Sequence, residues 1–287
     1  MTKNSKIAIG VVLGLIVVGV VVYKLIRNKV TSLVDALKWS KKNNFFTLSN
    51  GTNLIPLAKD GGITLKRNKG LNDSFSESKY QSAKKNPKVY WAIYDITNDR
   101  LLASSKNSST NVYGASVPKV VVAASALDNN NGVVSDSDYE KIIKLLVKSN
   151  NEVWTPIQNL AGGGEAVNKW SKKMGYTMKS ARGMGNNANA LDMCKFWKDV
   201  CRNNFKGAET IFTISSSCQT NRSRGLKYMP SNVYLGNKTG TYNNSNHDTG
   251  WVQKGDHFYS ISVLTELGSG GSDVIGQMWA GLFKEYT

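Results

Sequence analysis

Ser116 and Lys119 are spaced to act as a nucleophile and its base. Three residues apart on a helix, a hydroxyl and an ammonium share one face. Pro118 between them is tolerated only in a first turn, so the spacing predicts a helix that opens at Ser116 and runs to Leu127. A serine there meets free backbone N–H groups at the positive end of the helix dipole, which suits an oxyanion. The residues that follow, Val120-Val121-Val122-Ala123-Ala124, are apolar on every side, so this helix is expected to be buried. Burial disfavours an ammonium, which makes Lys119 a candidate neutral base for the Ser116 proton. Alone, the pair also fits a capping serine beside a surface lysine.

Two more short segments carry chemistry. Ser149-Asn150-Asn151 follows an amphipathic stretch, Tyr139–Ser149, and by itself reads as a polar helix end. Lys238-Thr239-Gly240-Thr241 follows the strand-like Val233-Tyr234-Leu235. A glycine there lets a substrate backbone approach as an added edge strand. Lys238, with the hydroxyls of Thr239 and Thr241, suits a carboxylate, and the N–H of Thr241 is a candidate second oxyanion donor beside that of Ser116. By itself this segment also fits an ordinary strand-end turn.

These residues need elements to hold them. Val89–Asp95 and Arg100–Ser104 flank Thr97-Asn98-Asp99 and read as a β-hairpin. Helices are expected near Ser76–Lys85, at Glu165–Met174 (closed by Gly175), at Asn189–Cys201, at Ala208–Thr220 and from Ser272 to Glu285. Strands are expected at Val233–Lys238, His247–Gln253 and Phe258–Thr265. The order strands, helices, strands, helix predicts an α+β fold, in which the first hairpin and the late strands share one antiparallel sheet covered by helices. Tyr113, Trp154, Tyr242 and Trp251 either line a cleft or fill the core, and core filling is the default expectation.

Ahead of this lies an uncharged apolar run from Ile7 to Tyr23, extended by Leu25 and Ile26 beyond a snorkelling Lys24. It reaches about 20 residues, or roughly 30 Å of helix, which fits a bilayer. It is longer than a signal-peptide core and no small-residue cleavage site follows, so an uncleaved anchor over 1–29 is expected. Val30–Leu37 is read as a juxtamembrane helix, with linker to residue 87 and a catalytic domain over 88–287. The lysines and arginine after the run (Lys24, Arg27, Lys29) would hold the C-terminal side in the cytoplasm by the positive-inside rule. The function that the resemblance described below implies wants the opposite, an extracytoplasmic domain, and is given more weight than a statistical rule.

The net charge of +17 favours anionic surroundings. No zinc-finger spacing, RNA-binding aromatic signature or helix-turn-helix cue is present, so no nucleic-acid partner is expected. Cys194 and Cys201 are seven apart on one helix, about 10 Å, too far for a bridge. With Cys218 they read as small buried hydrophobes. His247 and His257 lie at no ligand spacing, and neither metal nor other cofactor is expected.

Together the three segments, in this order, match the S-x-x-K, S-x-N and K-T-G set, and the chain over residues 88–287 resembles the class A β-lactamase and penicillin-binding serine hydrolase family. Further likeness lies in Trp91–Asp95 before the hairpin, Tyr113-Gly114-Ala115 before the serine, Ala161–Val167 opening a helix, and His247-Asp248 opening a strand. The resemblance implies a helical subdomain packed on an α/β sandwich, a site between them and an acyl-Ser116 intermediate. It implies Ser149 as a proton relay and Asn151 as an amide aimed at the acyl-side carbonyl. Two departures stand out. The family's lactamases carry a deacylating glutamate in a loop that here reads Tyr176–Asn189 and holds no Asp or Glu, and Asn150 stands where they usually have aspartate. The expected function is therefore a membrane-anchored D-Ala-D-Ala peptidase or transpeptidase acting on peptidoglycan stem peptides and acylated by β-lactams. The alternatives are a β-lactamase with another water activator, an esterase, and a non-catalytic structural or assembly descendant, a viral one included.

Overall fold

A computed structural model describes residues 75–215, 224–230 and 233–287. The apolar run 7–26, the juxtamembrane segment, the linker to residue 74 and Cys218 lie outside the described residues. Among the described residues no helix is long and apolar enough to cross a membrane.

Five strands form one antiparallel sheet: β1 (Val89–Asp95), β2 (Arg100–Ser104), β5 (Tyr234–Tyr242), β6 (Ser245–Lys254) and β7 (His257–Thr265), in the order β2-β1-β7-β6-β5. The hairpin and late strands thus share a sheet, as expected. β6 and β7 are buried along nearly their whole length because helices cover both faces. β5 is an edge strand, with its far end folded back on β6 so that Tyr242 pairs with Ser245. A two-stranded ribbon, β3 (Val112–Tyr113) with β4 (Asn187–Ala188), stands apart. Nothing in the residue pattern announces it, since two residues carry no periodicity.

One face of the sheet packs on α1 (Glu77–Lys85) and on the C-terminal helix Gly271–Tyr286. The other packs on a helical lobe: α2 (Lys119–Asn129), α3 (Asp136–Val147), α4 (Trp154–Leu160), α5 (Gly164–Lys173), α6 (Ala190–Cys201) and α7 (Ala208–Ser215), before the C-terminal α8. α2 is buried from Lys119 through Leu127, as its all-round apolar sequence required. The Asn189 side chain caps α6 by accepting from the Asp192 N–H at 2.7 Å. Gly175 takes the left-handed conformation past α5, φ +80°. Cys194 and Cys201 are free and buried in α6.

Three expectations change. The helix placed from Ser116 begins at Lys119, because Ser116–Pro118 form a tight turn against neighbouring loops. α4 was not anticipated, since Pro156 and its polar neighbours mask it, although proline is harmless in a first turn. α1, read as the end of the linker, is built into the folded unit. Tyr80 is 1% exposed, its ring fills the space beside Gly281, its hydroxyl donates to Glu285, and Lys84 pairs with Glu285 at 2.6 Å. Tyr80→Ala is expected to destabilise the domain by about 3 kcal/mol, read as a lower denaturant midpoint; a change under about 1 kcal/mol would remove α1 from the unit.

Candidate active site

The turn Gly114–Pro118 carries the serine. Ala115 is held at φ +50°, a strained position for a residue with a Cβ and one that survives only where the surroundings impose it. They do so here. The Gly114 N–H donates to Asn186 O at 2.8 Å and the Val117 N–H to Gly114 O at 2.9 Å. The His247 ring bonds Tyr113 O through Nε2 at 2.7 Å. Nδ1 of that ring accepts from the Thr265 N–H at 3.2 Å, so Nε2 carries the proton and donates it. Burial holds His247 neutral, its pKa pushed down to about 4. With both ring nitrogens engaged by backbone groups, this histidine braces the nucleophile turn.

Lys119, the first residue of α2, is fully buried. Its Nζ donates to Ser149 O at 2.6 Å and Asn151 Oδ1 at 2.6 Å, approaches Ser149 Oγ at 3.4 Å, and lies 4.9 Å from the Trp154 ring centroid. Desolvation first, then repulsion from Lys238 and Arg182, brings its pKa down to about 7. A lysine so placed is half-neutral at neutral pH, as a base for Ser116 must be.

Ser149 follows α3 in the left-handed region, φ +54°, and this turn aims its hydroxyl between two lysines. Lys238 Nζ donates to Ser149 Oγ at 3.0 Å and to Thr239 O at 2.8 Å. With Lys238 donating to Ser149 Oγ, that serine's own proton is left for another partner. Asn150, the departure from aspartate, plays a structural part. Its Oδ1 accepts from Glu152 N at 2.7 Å and Val153 N at 3.2 Å at the entry to α4. Asn151 gives its carbonyl oxygen to Lys119, which leaves its amide N–H groups for a ligand in the cleft it lines.

The β5 edge closes the site. A Cβ on Gly240 would stand 2.9 Å from Ser116 N and Gly114 O and 3.1 Å from Val117 N, so the strand lies against the nucleophile's backbone. The structure thus brings Lys119, Ser149, Asn151 and Lys238 into one hydrogen-bonded group and sets the 238–241 strand against the Ser116 backbone. Lys238 and Thr239 are buried, at 1% and 4% exposure, while Thr241 lines the cleft. Lys238 thus works from behind, through Ser149. Arg224, which sequence reasoning missed, supports Thr241: it donates to Gly240 O at 3.0 Å, His247 O at 2.8 Å, Asn246 Oδ1 at 3.1 Å and the Thr241 hydroxyl. No motif surrounds Arg224 in the sequence that could have marked it. Gly240→Ala is expected to slow acylation about 100-fold, because the added methyl pushes the strand off the Ser116 N–H. Unfolding temperature and penicillin-labelling rate, measured together, separate this from loss of fold.

The cleft holds about 540 Å³, enough for a short peptide or an antibiotic. Ser116, Asn151, Trp154, Arg182, Thr241 and Tyr242 line it, and among the described residues no Asp or Glu does. Contrary to expectation, Trp154, Tyr113 and Tyr242 face this space; Tyr113 and Tyr242 are 45% and 56% exposed with ring centroids 5.3 Å apart. Trp154 and Trp251 are both buried in the core, Trp154 with one side on the cleft and Trp251 stacked on Phe212 at 4.1 Å. The loop between α5 and α6 lacks a free carboxylate, as its sequence indicated. Asp192 in α6 is engaged by Thr177 N at 2.6 Å and Met178 N at 3.1 Å, and Asp199 by the Tyr176 hydroxyl at 2.6 Å. That loop instead brings Arg182 to the cleft. Its Nη1 donates to Asn151 O at 3.1 Å and Thr155 Oγ1 at 3.3 Å, and its backbone is pinned by Gln158.

Fold and site together define a β-lactamase-like protein. A family model described as "Beta-lactamase enzyme family" matches residues 142–279, which include Ser149 and Lys238 but not Ser116. Solved structures agree over nearly their whole length. The TLA-3 extended-spectrum β-lactamase superposes with a TM-score of 0.61 at 18% identity, covering 72% of this chain and 96% of that one. A β-lactamase from Sphaerobacter thermophilus DSM 20745 gives 0.63 at 15% identity, covering 75% and 98%. A β-lactamase from Chitinophaga pinensis DSM 2588 gives 0.61 at 14% identity, covering 73% and 97%. Comparison with curated protein sequences finds no match. The chain has the β-lactamase fold, and its resemblance to the β-lactamase and penicillin-binding serine hydrolase family stands on both comparisons.

Proposed function

We propose that the protein is a membrane-anchored serine acyl-transfer enzyme acting on peptidoglycan stem peptides, with residues 7–26 as the anchor and the catalytic domain outside the cytoplasm. One observation supports the choice: Lys119, a buried lysine of lowered pKa, sits behind the cleft that Ser116 lines, and among the described residues no carboxylate lines that cleft to activate water afterwards. Neutral Lys119 takes the Ser116 proton as Oγ attacks the penultimate D-Ala carbonyl. The N–H groups of Ser116 and Thr241 hold the oxyanion. The amide C–N bond then breaks, Ser149 hands a proton to the leaving D-alanine nitrogen, and Lys119 or Lys238 replaces it. The terminal carboxylate is held at Thr241, backed by Arg224 and Lys238. The acyl group waits as an ester on Ser116 for an amine or for water.

A second reading, β-lactam hydrolysis, is favoured by a specific observation: the solved structures named above are β-lactamases. Nitrocefin and benzylpenicillin separate the two. A stable adduct of one penicillin mass on Ser116 with negligible nitrocefin turnover supports the first reading; rapid turnover supports the second.

A further inference from the structure

We propose that Arg182 is the specificity residue of this cleft and that it binds a second carboxylate, one carried on the acyl half of the substrate. The inference rests on the acyl-transfer reading of the same site and adds a substrate class to it.

The wall that holds Arg182 is the wall the acyl half must follow. The leaving nitrogen has to lie beside the Ser149 hydroxyl, which protonates it. The Asn151 amide is the donor left for the acyl side, and Arg182 is braced on the Asn151 carbonyl and on Thr155 one helical turn away. Among the described residues both partners of its guanidinium are on Nη1. The rest of a planar five-donor fork, the geometry that grips a carboxylate through two parallel bonds, is left for a ligand. The guanidinium carbon lies 5.6 Å from the Trp154 ring centroid, so stacking already restricts the side chain before a ligand arrives.

A second observation points the same way. The Trp154 indole N–H is buried and has no partner among the described residues, although Trp154 lines the cleft. A buried donor without an acceptor is costly, and a ligand is one of the few explanations for it. Arg182, lining the cleft beside this ring, offers a carboxylate both charge and directed donors. Among the described residues no aspartate or glutamate lines the cleft to compete for it.

The test uses benzylpenicillin and carbenicillin, which share the bicyclic core and differ by one carboxylate on the acyl side chain. Full-length Ser116→Ala protein, unable to form an adduct, is titrated with each by calorimetry. Carbenicillin is expected to bind about tenfold more tightly. Adding Arg182→Gln should erase the preference, and Arg182→Lys should keep part of it. Lys173→Gln, the same loss of charge on the exposed side of α5, should leave it intact. In protein with Ser116 present, the ratio of the two acylation rates reads the same preference and serves if Ser116→Ala does not fold. Equal binding of the two penicillins, binding of neither, or a preference that survives Arg182→Gln overturns the proposal. Failure of the acyl-transfer reading looks different: the binding preference persists, yet neither compound ever acylates Ser116.

Discussion

Benzylpenicillin is expected to add its full mass to this protein, on Ser116, and to stay there. Acylation needs a nucleophile, a base and an oxyanion pocket. Ser116 lies on a turn whose backbone nitrogen faces Gly240, while Lys119 sits next to Ser149 with its pKa brought down to about 7. Deacylation needs a further base on the water's side of the ester. Among the described residues that line the cleft there is no Asp or Glu, and its one charged lining residue, Arg182, cannot accept a proton at any relevant pH. General-base assistance is worth about 10² to 10⁴ in rate, so the ester is expected to persist for minutes to hours. Ser116→Ala should abolish labelling while unfolding at an unchanged temperature. In cells, a fluorescent penicillin should mark a band that pellets with membranes and loses that property when residues 1–29 are removed. Nitrocefin turnover faster than about 1 s⁻¹, in the ordinary enzymatic range, would remove the peptidase reading and leave the β-lactamase one.

The parts of this site that could be read from sequence are those whose local pattern decides the outcome. The V-V-V-A-A run after Lys119 announces burial because no face of that helix is polar, and burial is what lowers the lysine. Asn189, Gly175 and the turn before Arg100 mark element ends by backbone chemistry, and each was legible to within a residue or two. The missing carboxylate in 176–189 is an absence visible in the letters themselves.

What escaped is set by contacts between distant segments. Ser116 leaves the helix because Gly114, Asn186 and His247 hold the turn, and no local rule encodes the Asn186 or His247 bonds. Tyr113 and Tyr242 look like core aromatics until β5 brings their rings within 5.3 Å at the cleft mouth. Arg224 and Arg182 are two among many basic residues. Only the fold separates the guanidinium that ties Thr241 to the strand behind it from the one that stands in the cleft where a carboxylate was sought. Charge composition suggested an anionic partner, and Arg182 puts part of that positive charge in the cleft itself rather than spread over the surface.

Lys119→Ala is expected to lower the acylation rate about 10³-fold, with a pH profile that identifies the cause. On the proposed mechanism the active form is the one with a neutral Lys119 amine. Its pKa is lowered, so the active population grows as pH rises: about a tenth at pH 6, half near pH 7 and nearly all above pH 8. The charges acting on the amine are both cations, Lys238 across Ser149 and Arg182 across Trp154, and both favour loss of its proton. Arg182→Gln removes one of them. It should therefore raise the Lys119 pKa and move the midpoint of the acylation profile to higher pH, with little change in the plateau reached at high pH. A role confined to holding the loop would lower the plateau and leave the midpoint in place. Lys119→Ala, lacking the titrating group, should show residual labelling without the inflection near pH 7. If the inflection persists in Lys119→Ala, another group is the base and the buried lysine only fills space beside Trp154.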